Sequence, residues 1–306
     1  MVGPVFGGAP KVQTVPEPVE SGLPGEVAHF LHCSPLDQPG RHATGCALPI
    51  LRMAFDLTTF GLGDMLKCSL QLREVASGAA TLEASAQRVC RFFYDELTKP
   101  EGGRACPLVR CYKTHDFAGL EPDLQKFAKG ILSVVPPTST MKCLTLMATV
   151  GETASWNSRH LSHGHKAIPL PSPEIVEKAP MIAQLIKEFG LELKYVLKPS
   201  ADLLSELAGK RYGVFHVAEA KDSPYIPAQK DFVDRHGIRS VVGFGGMLGS
   251  GDLFAVILFA NVHVPAASAE RFRTLALDVK SGFSRFNYTN VFNQTTVSAK
   301  SRTEAV

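Results

Sequence analysis

The sequence predicts an α+β fold built on an antiparallel sheet, and three observations carry that expectation. Helix-like and strand-like segments are interleaved along the chain. Two apolar segments, residues 239–248 and 252–264, are separated only by Gly249-Ser250-Gly251, a hairpin connection that makes neighbouring strands antiparallel. The second segment is apolar at both parities, with Leu253, Ala255, Ile257 and Phe259 on one side and Phe254, Val256, Leu258 and Ala260 on the other. A half-wet strand would alternate, so this one is expected to be covered on both faces.

Residues 1–52 carry 8 Pro and 7 Gly with no apolar period, and read as a disordered arm. Met53 is an alternative expected start of translation, because folded-looking sequence begins there. From Leu62 a helical stripe runs through Met65, Leu66, Ser69, Leu72 and Ala76. Thr81 is an expected N-cap, and Leu82, Ala86, Val89, Phe93 and Leu97 give a second helix that stops at the 99–103 turn cluster. Strands are expected at residues 105–112, 143–150, 190–197, 239–248 and 252–264, and helices at 121–132, 173–189 and 266–286. The folded domain is expected over 53–286, followed by a polar tail, 287–306.

Composition excludes several classes. The chain of 306 residues has 32 basic and 29 acidic residues, a net charge of +3, which gives no clustered surplus for a nucleic-acid partner. Its longest apolar run has eight residues against the about 20 a bilayer span needs, so no membrane association is expected. The N-terminus lacks the pattern of a secretory signal. Seven irregularly spaced cysteines read as reduced thiols, and a cytoplasmic location is expected.

The motifs give little chemistry. In residues 156–170 the single tryptophan, Trp156, sits with Asn157, Arg159, His160, His163 and His165. No acid or cysteine accompanies the histidines, so the loop reads as the wall of a small-molecule pocket or as packed loop rather than as a metal site; no metal is expected. The glycine-rich run from Gly243 to Gly251 fails G-x-G-x-x-G at Leu248 and precedes a strand where a helix should start. Cys106 and Cys111 point to opposite faces of one strand, and His216 with Glu219 lacks a third group for acid–base work. No nucleophile or metal-hydrolase signature is present, and no enzymatic activity is expected. Ala269, Phe272, Ala276, Val279 and Phe283 form a heptad seam, which reads either as a helix packed on its own sheet or as a dimer seam.

Together RVCRFFYDEL, ACPLVRCYKTH, GHKAIPLP, IRSVVGFGGMLGSGDLFAVILF and ERFRTLALDVKSGF resemble a GAF sensory domain over residues 62–285, of the type upstream of bacterial histidine kinases and cyclases. The resemblance implies a central antiparallel sheet of five or six strands, terminal helices packed on one face, and a ligand pocket under loops on the other. It also implies a homodimer through the terminal helices. The N-K-x-F-D-E signature of cyclic-nucleotide-binding members is absent, and no output domain is expected. The expected function is therefore a non-catalytic sensory module that binds a small molecule and acts in trans on a histidine kinase, a cyclase or a transcription factor. A ligand-free interaction scaffold and a cysteine-dependent redox enzyme are the rivals, and the identity of any cofactor is open. Arg110, Trp156, Asn157, His165, His216, Tyr225 and Phe244 are the candidate pocket residues, chosen as polar or aromatic groups on the strands and loops that should face it.

Overall fold

The computed structural model describes residues 54–132, 136–162, 164–199, 212–286 and 290–293. The arm assigned to residues 1–52, most of the assigned tail and His163 lie outside them. Helix α1 spans Leu62–Ser77, and the Asp64 carboxylate accepts from the Gly61 N–H at 3.0 Å to close its first turn. Helix α2 spans Leu82–Glu96, and Thr81 Oγ1 accepts from the Ala84 N–H, the cap read from the sequence. Short strands β1 (Phe55–Asp56) and β2 (Leu97–Thr98) pair in parallel beside these helices.

The sheet contains β3 (Leu108–Asp116), β4 (Lys142–Gly151), β5 (Ala167–Leu170), β6 (Tyr212–Val217), β7 (Ser240–Met247) and β8 (Leu253–Ala260). Every neighbouring pair is antiparallel, in the order β5-β4-β3-β8-β7-β6. The β7–β8 hairpin turns through Gly251 at φ +81, a left-handed conformation that costs glycine nothing. All eight residues of β8 are buried, so the expected cover on both faces is present.

One layer consists of α1, α2 and the C-terminal helices α7 (Ala266–Glu270) and α8 (Phe272–Phe283), in element order after the four helices α3–α6 given below. Phe93, Phe244 and Phe272 meet ring to ring between this layer and the sheet, and Phe254 meets Phe283 edge-on. Ala269, Phe272, Ala276, Val279 and Phe283 are at most 1% exposed within the chain itself. The heptad pattern is thus the helix's contact with its own sheet and α1, and the reading of these five residues as a dimer seam is corrected. A Cβ on Gly282 would lie 2.5 Å from the Ala76 Cβ, so α1 and α8 cross at the distance that only a glycine allows.

The opposite layer holds α4 (Pro173–Val176), α5 (Pro180–Glu188) and α6 (Leu193–Leu197), whereas α3 (Pro122–Leu132) packs Leu124 and Ala128 on Cys143 and Ala167, which alternate with the cavity-facing Leu144 and Ile168. The single helix expected over 173–189 is two, because Pro180 starts a new first turn. The strand expected over 190–197 is helix α6 instead. Gly190, at φ +69, ends α5, and the chain re-enters a helix that buries Val196 against the same core as Leu185 and Phe189. Its period-2 alternation was outweighed by that packing. Strands β5 and β6 carry no strong sequence pattern, the latter interrupted by Gly213. There α5 ends so close to the sheet that a Cβ would sit 2.2 Å from the Phe189 Cα.

Residues 290–293 return to the start of α2. The N–H groups of Leu82 and Glu83 donate to the carbonyls of Asn290 and Val291, and the Asn293 N–H donates to the Glu83 carboxylate. These bonds satisfy donors that a helix N-terminus otherwise leaves open. Glu83 also accepts two bonds from the buried Arg159, at 2.8 and 3.1 Å, and the Arg159 guanidinium lies over the Phe292 ring.

One end of the sheet is tied by buried charges. Lys113 Nζ on β3 meets Asp252 Oδ2 at 2.7 Å, and Lys142 Nζ on β4 meets Asp252 Oδ1 at 2.9 Å and Asp116 Oδ1 at 3.0 Å. The two lysines hold the Asp252 carboxyl below the ordinary carboxylate range despite its burial. Beside them, burial and the Lys113 charge push the His115 imidazole down to about 3, and the adjacent Lys113 backbone does not reach hydrogen-bonding geometry with either ring nitrogen. His115 is therefore neutral in the folded chain and protonates near pH 6.5 once unfolded. Below pH 6.5 the unfolded state binds the extra proton, so stability falls as pH falls, by about 1.4 kcal/mol per pH unit for this group. Urea titrations between pH 7 and 4.5 are expected to show that slope, and His115→Phe to flatten it by up to that amount. The half-buried His216 and the exposed His165, lowered in the same sense, leave a residual slope in the variant.

Candidate functional site

The sheet face opposite the terminal helices is not filled. Between it and α5 lies a cavity of about 580 Å³, inside the usual range for small-molecule sites. Alternation along β3 decides its floor: Leu108, Arg110 and Tyr112 face the cavity, while Val109 and Cys111 face the terminal-helix layer. Leu144 of β4 and Ala255, Ile257 and Phe259 of β8 complete the floor. Met181, Ile182 and Leu185 of α5 form the roof, and Ile226 and Phe232 close one side. Gly243 and Gly245 of β7 carry no side chain toward this layer, which seats Leu185 and Phe189 close to the sheet. That is the physical role of the glycine-rich run.

Two polar groups stand out in this apolar enclosure. Arg110 Nη1 donates to the Tyr112 hydroxyl at 3.3 Å, while its Nε is buried with no partner among the described residues. A guanidinium donor in that state carries a desolvation cost that no described residue offsets. His165 lines the same space from a backbone at φ +59, a conformation rarely adopted by residues other than glycine. The residue itself is exposed, but partial desolvation by the surrounding atoms, together with the Arg110 charge, lowers its imidazole below the usual range, so it is neutral at pH 7. A cation beside a neutral imidazole under apolar walls can hold one carboxylate or comparable acceptor on an otherwise greasy molecule.

Of the candidate pocket residues, Arg110, Trp156 and His165 come together here. Trp156 forms a wall and packs on Phe232 and His236, at 5.8 and 4.5 Å between ring centres. Four others are placed elsewhere. Asn157 ties off the end of β4, its Nδ2 donating to the Gly151 carbonyl at 2.8 Å. His216 faces the terminal helices, where its Nε2 is 2.9 Å from the Val264 carbonyl and its backbone N–H donates to Glu188. A carbonyl only accepts, so Nε2 carries the proton, and Glu219 stands apart as an exposed side chain. Tyr225 packs edge-on against Phe215 outside the cavity, and Phe244 lies in the core under α8. Phe244 was placed on the wrong face because parity along β7 is unreadable in a segment apolar on both sides. Tyr112, Phe232 and the α5 residues were not read as site residues. An amphipathic helix over 173–189 was legible, but its facing surface was not.

Other chemistry finds little footing. Cys68, Cys90, Cys106, Cys111 and Cys143 are buried free thiols, each pushed up by burial, Cys143 to about 12. Such groups are protonated at neutral pH and poor nucleophiles. Among the described residues no three His, Cys, Asp or Glu side chains are placed to hold a metal ion, and no helix is long and apolar enough to cross a membrane.

No family model matches the sequence, and no curated protein does. Among solved structures, the GAF domain of a phosphoenolpyruvate-protein phosphotransferase from Coxiella burnetii aligns with 72% of this chain and 93% of its own. The identity is 14% and the TM-score 0.37.

Arg110→Met removes the unpaired donor and keeps the volume, and is expected to raise unfolding stability by about 1 kcal/mol in urea titrations. A loss of stability instead would show that the guanidinium has a partner in the ligand-free protein.

Proposed function

We infer that the protein is a GAF-like regulatory module that takes up a small, mostly apolar molecule bearing one carboxylate or similar acceptor. The observation that carries this reading is the Arg110 Nε without a partner among the described residues, in an apolar cavity of about 580 Å³. A buried donor is normally satisfied, and the side chain that would satisfy this one is absent from the described walls. Binding supplies the missing acceptor, while the apolar body gains about 25 cal/mol for each Å² it removes from water. The occupied state would be read in trans by a signalling protein such as a histidine kinase, a cyclase or a transcription factor. The buried thiols favour this reading over a redox enzyme.

The test uses Trp156, the sole tryptophan and part of the cavity wall. Titration with an amphipathic carboxylate such as decanoate is expected to shift its emission saturably, and native mass spectra to retain a stoichiometric adduct. Arg110→Met should weaken both at least about tenfold, the cost of a lost charge-assisted hydrogen bond. Absence of any adduct or emission change across a panel of such carboxylates overturns the reading and leaves the scaffold alternative.

The dimer belongs to the same proposal, through a different surface from the heptad seam. Leu62, Leu66 and Leu70 repeat every four residues on α1 and stay more than half exposed, and Leu277 on the adjoining α8 is half exposed. Such a stripe on a helix pair is what a second copy would cover. Light scattering is expected to give a dimer for the native chain and a monomer for Leu66→Glu combined with Leu70→Glu. A native monomer at micromolar concentration counts against it.

A further inference from the structure

A second cleft, of about 960 Å³, opens at the charged end of the sheet, where β3 ends and β4 and β8 begin. Four lysines and two aspartates line it. Lys113 and Lys142 are buried at its base, and the exposed Lys194 and Lys198 stand on its rim. Each buried ammonium has three N–H donors. Lys113 commits two of them, to the Thr114 carbonyl and Asp252, and Lys142 commits two, to Asp252 and Asp116. Among the described residues, one donor therefore remains on each.

His115 supplies the independent sign of a ligand. It is 8% exposed, lines the cleft, and neither ring nitrogen has a hydrogen-bond partner among the described residues. Its face is covered by Phe292, 5.3 Å between ring centres, so water does not solvate it freely. An imidazole held like this offers one N–H and one lone pair. A tetrahedral oxyanion with a protonatable oxygen can meet both, and hydroxyls at Thr138, Thr140 and Ser172 add neutral donors around the same space.

We propose that this cleft binds the phosphate group of a small phosphate monoester, with Lys113, Lys142 and His115 at the phosphate and Lys194 and Lys198 drawing it in. The monoester follows from size, since the cleft exceeds what a bare phosphate fills. The site is distinct from the apolar cavity, with which it shares Leu170: Arg110 does not line it, and its ligand chemistry is the opposite, polar and anionic.

The test follows the phosphorus resonance of phenyl phosphate and of inorganic phosphate on titration with the full chain at constant ionic strength. Saturable broadening is expected for both, with the ester binding more tightly. His115→Phe should weaken binding at least about tenfold while the unfolding temperature at pH 7 stays level or rises, because two unsatisfied polar atoms leave the interior. A purely structural histidine would not separate the two readouts in that direction. Lys198→Ala, on the exposed rim, should weaken binding a few-fold and increasingly so at low salt. Arg110→Met should leave phosphate binding unchanged. No saturable broadening up to about 10 mM, an affinity too weak for a built site, overturns the proposal. Equal binding by His115→Phe, or loss of binding in Arg110→Met, overturns it as well. Tight inorganic phosphate with no gain from the ester overturns the monoester. Loss of decanoate binding alone bears only on the apolar cavity.

Discussion

Strand β8 has no polar side. Eight consecutive buried apolar residues in the middle of a six-stranded sheet cannot face water, so the chain must supply a cover for each face. One cover is tight: phenylalanines from α2, β7 and α8 interlock, and a glycine lets α1 and α8 touch. The other cover is made of short helices and turns, started and stopped by Pro173, Pro180 and Gly190, which span the face without filling it. The difference between the covers leaves a packed core on one side of β8 and a cavity on the other.

Polar groups are sorted just as sharply. Along β3, the residues before the bulge opposite Cys111 and Tyr112 present one cation, Arg110, to the apolar cavity. The residues after it present Lys113 and His115 to the charged end of the sheet. Buried charge survives there because Asp252 is shared between two ammonium groups and receives a further bond from the Ser250 hydroxyl. One strand thus serves two environments of opposite character, and neither imposes its chemistry on the other.

Much of the architecture was legible in the sequence because it rests on local rules. The Thr81 cap, the period of α2 and the Gly249–Gly251 hairpin each depend on a few adjacent residues, and each is where the sequence placed it. The site was less legible. Arg110, Trp156 and His165 were reachable because they are polar or aromatic in segments bound to border the sheet. Phe244 lies on a strand buried on both faces, where parity carries no hydropathy signal to say which way a side chain points, and His216 lies on edge strand β6, which the sequence did not mark as a strand. The stripe expected on α1 holds at Met65, Ser69, Leu72 and Ala76 and fails at Leu62 and Leu66. The helix buries Met65, Cys68, Ser69, Leu72 and Ala76 and leaves Leu62 and Leu66 outside, a rotation that hydrophobicity alone cannot choose when both faces carry leucine.

The segment 290–293 gives the molecule a mechanical property. Its two carbonyls close the open end of α2, its backbone holds Glu83, and Glu83 grips Arg159 in the loop that also carries Trp156 and His165. Chain leaving α8 is thereby fastened to the cavity wall through three side-by-side latches rather than trailing from the fold. Tension applied beyond residue 293 would load the positive pole of a 15-residue helix and the loop bordering the cavity at once. Whatever is attached there is wired to the wall, not merely tethered to the domain.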